Sequence, residues 1–180
     1  MDKEVNALDE FTLSFLRVLE RHTRYVLVSG YVSILFGRSR MSEDVDIIIP
    51  AVDQDAFHRL HQDVLHEFWC LNSADEHELF DLLASRHSIR YARKEQVIPN
   101  MEVRFARNPI DDVCLRDALE VHVGDQRLSV SPIELQIVYK ELVLCSPKDR
   151  EDALHLREVF AGHLDAKRLE QFQRLVRRYA

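Results

Sequence analysis

The sequence predicts an α/β protein: a small mixed sheet with a helix layer behind it and a C-terminal group of three helices. Three observations predict this. Residues 25–50 read strand, short helix, strand. Residues 100–106 alternate apolar and polar with a period of two, the pattern of a half-buried strand. Two Ser-Pro helix starts, Ser131-Pro132 and Ser146-Pro147, open a helical tail.

Residues 4–22 place Leu8, Phe11, Phe15, Val18 and Leu19 on one stripe, which predicts an amphipathic helix packed on the sheet. Tyr25 to Val28 is a β-branched and aromatic run, a buried strand. Ser29-Gly30 breaks it, Tyr31 to Phe36 suits a short helix, and Gly37 can end that helix in the left-handed region. The polar loop Arg38 to Ser42 leads to Glu43-Asp44-Val45-Asp46, which runs into Ile47-Ile48-Ile49 and is closed by Pro50. Because strand side chains alternate, Asp44 and Asp46 share one face while Val45, Ile47 and Ile49 take the core face. Two carboxylates on one face repel unless a cation separates them. Mg²⁺, a hard ion that takes oxygen ligands, suits the pair. Free N–H groups at the helix start after Ser29-Gly30 suit phosphate.

Asp53 to Phe68 predicts a helix with His58 and His61 three apart; surface histidines and two metal-ligating imidazoles both fit that spacing. Residues 73–86 predict a helix capped by Ser73, with Glu76 completing a capping box. Ile89 to Ala92 suits a strand, and Arg90, Arg93 and Lys94 form a basic cluster, either a solvated charged loop or a contact for phosphate. In Asn100 to Ala106, Glu102 stands among apolar neighbours as a third acid, or as an exposed strand glutamate with a neighbouring partner. A helical turn over Asp111 to Ala118 precedes Leu119 to Val123 and Arg127 to Val130, a hairpin about Gly124-Asp125-Gln126 that extends the sheet. The tail predicts helices from Pro132 to about Leu144, with Leu135, Val138, Leu142 and Val143 inward, and from Pro147 to about Gly162. A last one carries Leu169, Phe172, Leu175, Val176 and Tyr179.

Bulk properties narrow the function. The chain has 180 residues, 46% hydrophobic and 31% charged, with a formal charge of −7. These are the proportions of a globular protein, with no global basic field to draw in nucleic acid. No apolar run is long enough for a membrane span, and the acidic start MDKEVNALDE is unlike a signal peptide, so a cytoplasmic location is expected. Cys70, Cys114 and Cys145 are far apart and odd in number, consistent with reduced thiols.

The run from Tyr25 to Pro50 resembles the signature of the nucleotidyltransferase superfamily, the DNA polymerase beta-like fold: a strand, a Gly-Gly or Gly-Ser turn, a short helix, then Asp-x-Asp on the next strand. Arg40-x-Ser42-Glu43-Asp44-Val45-Asp46 is most similar to the small AbiEii-type, minimal members. Ser29 stands where the first glycine of the turn is usual. The resemblance implies a nucleotidyltransferase-like core over residues 1–130 with a C-terminal helical subdomain, 131–180, packed on it. Further, it implies a Mg²⁺-dependent (or Mn²⁺-dependent) enzyme that moves a nucleoside monophosphate from an NTP to an acceptor: RNA, a protein or a small molecule. A component of a toxin–antitoxin pair fits it, with no membrane partner and with an oligomer allowed. A catalytically silent nucleotide-binding or antitoxin-like module on the same fold is the alternative.

By the same resemblance Asp44, Asp46 and Glu102 are the catalytic and metal-binding acids, Glu102 replacing the usual aspartate. Ser29, Gly30, Arg40, Ser42, Lys140 and Lys148 line the nucleotide. Lys148-Asp149-x-x-Asp152 matches a Lys-Asp-x-x-Asp helix start, with Asp149 and Asp152 as structural support. For Lys140, charge offset on pyrophosphate and a plain surface position are both compatible with its helix.

Overall fold

The computed structural model describes residues 5–180. The fold is α/β, a seven-stranded mixed sheet with helices on both faces. The first helix, α1 (Ala7–Leu19), is closed by a capping box in which Asn6 and Asp9 satisfy each other's backbone N–H groups. Glu4, where the stripe of apolar residues predicts its start, lies outside the described residues. Next come β1 (Val26–Val28), α2 (Ser29–Leu35) and β2 (Asp44–Ile49), followed by α3 (Gln54–Val64), β3 (Phe68–Cys70), α4 (Glu76–Ala84), β4 (Ile89–Arg93) and β5 (Asn100–Phe105). The remaining elements are α5 (Pro109–Arg116), β6 (Leu119–Val123), β7 (Gln126–Val130), α6 (Ile133–Tyr139), α7 (Pro147–Val159) and α8 (Ala166–Tyr179). The strand order is β3-β4-β5-β2-β1-β7-β6, with β2/β5 and β1/β7 parallel and the other pairs antiparallel.

Alternation along the central strands sorts the two faces. Val45, Ile47 and Ile49 of β2 join Met101, Val103 and Phe105 of β5 in the larger core, under α1, α3 and α4. Val26 and Ile48 point the other way, where Ile110 and Cys114 of α5, Leu135 and Val138 of α6, and Phe172 and Val176 of α8 cover them. Burying such side chains contributes roughly 1.5–3 kcal/mol each. That second cover packs on β1 and β2, while Asp44, Asp46 and Glu102 on the same face are only partly buried.

Several local expectations are corrected. The helix expected to reach Phe68 ends at Val64, and Phe68 opens the edge strand β3, where its ring meets Phe11 and Phe15 edge-on. Phe68 keeps helical spacing from Val64, so periodicity alone misplaces it. Asp75, not Ser73, caps α4; the Ser73 hydroxyl instead accepts from Asp75 N–H and donates to Glu78. Ser131 does not cap α6. Its backbone continues the β1/β7 pairing by donating to the Leu27 carbonyl, its hydroxyl accepts from the Gln136 amide, and Pro132 takes the cap position. His61 is buried at 3% exposure, bonded through Nδ1 to the Tyr91 hydroxyl at 2.7 Å, while His58 pairs with Glu76 at 2.9 Å. The two imidazoles thus have separate partners, and burial pushes the His61 pKa down. Arg90 and Arg93, three apart on β4, go to different partners, Glu102 and Ser14, so the basic cluster is divided between the two sheet faces.

The largest departure follows α6. Residues Lys140–Leu144 form a π turn, closed by Cys145 at φ 53°. The wider turn changes which side chains point in. Leu142, expected inside, is 41% exposed, whereas Lys140 is fully buried. Its ammonium lies 3.2 Å from Asp149 and 3.0 Å from Asp152. Asp152 also receives Nε and Nη2 of Arg40 at 3.0 and 2.9 Å. Burial alone would raise the Asp152 pKa, but the hydrogen bonds from Arg40 and Lys140 more than offset it and hold the carboxyl below its ordinary range. This clamp ties the loop before β2 to α7, and it touches the glycine turn. A Cβ placed on Gly30 would stand 2.2 Å from Nη2 of Arg40. Any side chain there would push the guanidinium, which passes over Gly30 and is held by Asp152, off its seat.

Removing one partner of a buried ion pair leaves the other charge uncompensated. Asp152→Ala is expected to cost about 3 kcal/mol of unfolding free energy. Gly30→Ala, which pushes Arg40 off its seat, is expected to cost roughly 1–3 kcal/mol. Both act on the same Arg40 contact, so the double variant should lose less than the sum in urea denaturation. Strict additivity would mean that the two sites share no contact.

Candidate functional site

Register decides the site. In the parallel pair β2/β5, Asp46 lies beside Glu102 and Asp44 beside Asn100. Asp44, Asp46 and Glu102 therefore stand on one face of two neighbouring strands, the face left open where the second helix layer ends. On the far side of Glu102, β4 brings Arg90, whose Nε and Nη2 donate to Oε2 at 3.0 and 2.8 Å. Both bonds land on one oxygen, so Oε1 keeps its lone pairs. The Ser42 hydroxyl donates to Asp44 at 3.3 Å.

Asp46 shows the strain of this crowding. Burial and the neighbouring Asp44 push its pKa up from 3.8 to about 6, with Glu102 adding to the rise; a hydrogen bond from the Ser29 side chain and the Arg104 charge act against it. A carboxyl held this way changes charge close to neutrality.

The turn before α2 sits next to Asp46, because Val28 pairs with Asp46 in β1/β2. Ser29 has φ 63°, a left-handed conformation that disfavours a side chain by about 1–2 kcal/mol. Its backbone N–H is fixed by Gln136 Oε1 at 3.1 Å, an anchor 107 residues away. What Ser29 presents to the acids is its hydroxyl. Gly30 is buried beneath Arg40.

The structure thus brings Asp44, Asp46, Glu102, Ser29 and Ser42 together at one end of the sheet. Arg40 and Lys140 stand behind the glycine turn, each engaged by Asp152, and Asp149 completes that clamp. Lys148 is exposed in the first turn of α7. Sequence reasoning missed Gln136, Arg107 and Tyr139. Gln136 and Ser29 carry no local signal of their contact. Arg104 was legible, since it lies two residues beyond Glu102 and so on the same face.

One row deeper from the acids is a cleft of about 200 Å³. Val28 and Ile48 form its floor, α5 and α6 its walls, and Asp46 its mouth, with Arg104, Arg107 and Tyr139 on the lining. Arg104 forks onto Asp111, one bond measuring 2.8 Å. Cys114, also on the lining, has its thiol pushed up to about 12, chiefly by burial, and is unreactive.

The donor set suits a hard divalent ion: all three acids offer oxygen, and the raised Asp46 pKa marks a repulsion that such an ion relieves. Asp44 and Asp46 are free to take it. Glu102 shares one oxygen with Arg90, and among the described residues no group of three His, Cys, Asp or Glu side chains is arranged to hold a metal ion, which leaves Asp44 and Asp46 as the pair that would take it. No helix of the described residues is long and apolar enough to cross a membrane, and Cys70, Cys114 and Cys145 are free thiols.

No family model matches the sequence, and no curated protein does. Solved structures do match the fold. The crystal structure of ANT(2″)-Ia in complex with adenylyl-2″-tobramycin is 14% identical, with a TM-score of 0.58 over 93% of this chain and 97% of that one. The solution structure of the antibiotic-resistance factor ANT(2″)-Ia is 12% identical, with a TM-score of 0.56 over 93% and 90%. An antigenic nucleotidyltransferase-like protein from Paracoccidioides brasiliensis is 13% identical, with a TM-score of 0.54 over 93% and 85%. With its mixed sheet, acid row and flanking helices, the chain has the nucleotidyltransferase fold.

Proposed function

We propose that the protein is a divalent-metal-dependent nucleotidyltransferase. The observation that carries this reading is the row of Asp44, Asp46 and Glu102 on one open sheet face, beside the Ser29 turn. Asp44 and Asp46 would hold Mg²⁺ or Mn²⁺, which when bound supplies charge to offset the triphosphate. The Ser29 hydroxyl and Ser42 border the phosphate chain, and Lys148 reaches it from the start of α7. Arg40 and Lys140 contribute from behind the turn by holding it in shape, their charges met by Asp149 and Asp152. In the transfer an acceptor oxygen forms a bond to the α-phosphorus, the bond from that phosphorus to the bridging oxygen breaks, and pyrophosphate leaves. The acceptor's proton passes to Glu102, whose Oε1 is open while Arg90 steadies Oε2.

The acceptor is an RNA, protein or small-molecule hydroxyl. One structural neighbour holds an adenylylated small molecule, adenylyl-2″-tobramycin, which makes small-molecule hydroxyls the first to test. Transfer to RNA or protein would suit a toxin of a toxin–antitoxin pair. The Arg90–Glu102 pair and the engaged Ser29 N–H favour a second reading, a module that binds nucleotide without transferring it.

Labelled NTPs incubated with Mg²⁺ or Mn²⁺ and an acceptor panel test the first reading. Transfer is expected, and Asp46→Asn should lower kcat/KM by on the order of 10²-fold or more, the usual size of losing one transition-state charge contact. Calorimetric NTP binding with no transfer to any acceptor would favour the silent module instead.

Stability without divalent ions gives an independent check. Asp46 has a raised pKa, so the folded state binds its proton more tightly than the unfolded chain does. The resulting stabilisation is fully present below about pH 3.8 and is lost as pH rises through about 6. At about pH 7.5 Asp46→Asn is expected to exceed the wild type by on the order of 2 kcal/mol. Adding Mg²⁺ should narrow that gap by stabilising the wild type alone. Parallel urea midpoints across the pH range, with or without Mg²⁺, would refute the acid-row electrostatics.

A further inference from the structure

We propose that the cleft beside the acid row holds an oxyanion, a phosphoryl or carboxylate group, on the guanidinium of Arg107. Four charged side chains face this cleft: Asp46, Arg104, Arg107 and Asp111. The Asp111 carboxylate is committed to Arg104, which forks onto both of its oxygens, and it also accepts the backbone N–H of Arg107 at 2.8 Å. Asp46 belongs to the acid row. Arg107 is left with no carboxylate of its own. Its Nη2 donates to the Ser88 hydroxyl at 2.9 Å, which fixes the plane of the group. Its Nε is buried and has no hydrogen-bond partner among the described residues. Burial first, then repulsion from Arg104, lowers the Arg107 pKa, and the opposing attraction of Asp111 and Glu102 does not make up the difference.

The buried Nε–H is unmet as it stands, and a small turn of the guanidinium toward an anion in the cleft satisfies it. The apolar floor of Val28, Ile48 and Leu135 lowers the local dielectric and strengthens the attraction. At about 30 Å³ for each water, a volume of about 200 Å³ holds roughly six, more than one phosphoryl group needs. The remaining space, walled by Tyr139, takes whatever carries the anion. Two sources offer this chemistry: the phosphate chain of the nucleotide and an acidic group on the acceptor. Assigning the anion to a substrate rests on the transferase reading; the anion site itself rests on Arg107.

The test uses the full chain with ¹⁵N-labelled arginine, titrated with inorganic phosphate without nucleotide or divalent ions. A saturable shift of the Arg107 Nε–H resonance is expected, with a smaller shift at Arg104, the other arginine on the lining. R107Q should weaken phosphate binding by roughly tenfold or more, the size of one charged hydrogen bond, while R107K keeps most of it. Unchanged thermal midpoints show that the variants fold; should R107Q not fold, the wild-type shifts and R107K decide. A non-hydrolysable NTP that displaces phosphate from Arg107 identifies the nucleotide as the source. Simultaneous binding identifies an acidic acceptor. No saturable shift at Arg107, or equal affinity in a folded R107Q, overturns the site. Absent label transfer with phosphate still bound would instead sink the transferase reading and leave the anion site standing.

Discussion

Asp44, Asp46 and Glu102 are placed on one face by the parallel register of β2 and β5, and their mutual repulsion is the constraint to which the surroundings answer. Each acid has a local counterweight. Ser42 donates to Asp44, the Ser29 side chain donates to Asp46, and Arg90 takes one oxygen of Glu102. None of these removes the crowding, and Asp46 keeps a pKa near 6. A protein with no use for negative charge here would be more stable with neutral side chains at these positions. An unfavourable cluster on one sheet face is the kind of feature that sites show, and the proposed transfer rests on it.

Behind the acids, a second charge system works by the opposite logic. Lys140, Asp149 and Asp152 are buried and Arg40 is half-buried, and their paired contacts are internal to the fold. The π turn that buries Lys140 and the glycine that lets Arg40 pass are parts of one device holding the Ser29–Gly30 turn against β2. Gln136 fixes the same turn from α6. The strained φ of Ser29 is sustained by these anchors from the C-terminal third of the chain. The helical tail therefore shapes the site without supplying its acids. Its helices also share the core, since Ile133, Ile137, Ala153 and Leu156 pack with the central strands.

Much of this was legible locally. Period-two alternation placed Asp44 and Asp46 together and Val45, Ile47 and Ile49 on the core face, as found. The Gly-Asp turn gave the β6/β7 hairpin, and Ser146-Pro147 gave the start of α7. Local patterns failed where distant partners decide. Phe68 fits a helix by spacing but pairs across a sheet edge. Ser131 has the sequence of a cap, yet its backbone is claimed by β1. Leu142 and Lys140 exchange inside and outside because a buried pair of aspartates outweighs a hydrophobic stripe.

The sequence by itself determined the strands, the faces of their side chains and the identity of the acids, because the two-residue period of a strand is a property of neighbours along the chain. Tertiary structure alone decided that Glu102 lies beside Asp46, that Lys140 is buried, and that Arg107 faces a cleft with its Nε unmet among the described residues. Those outcomes depend on register and on contacts between separate elements, and no local pattern encodes a register.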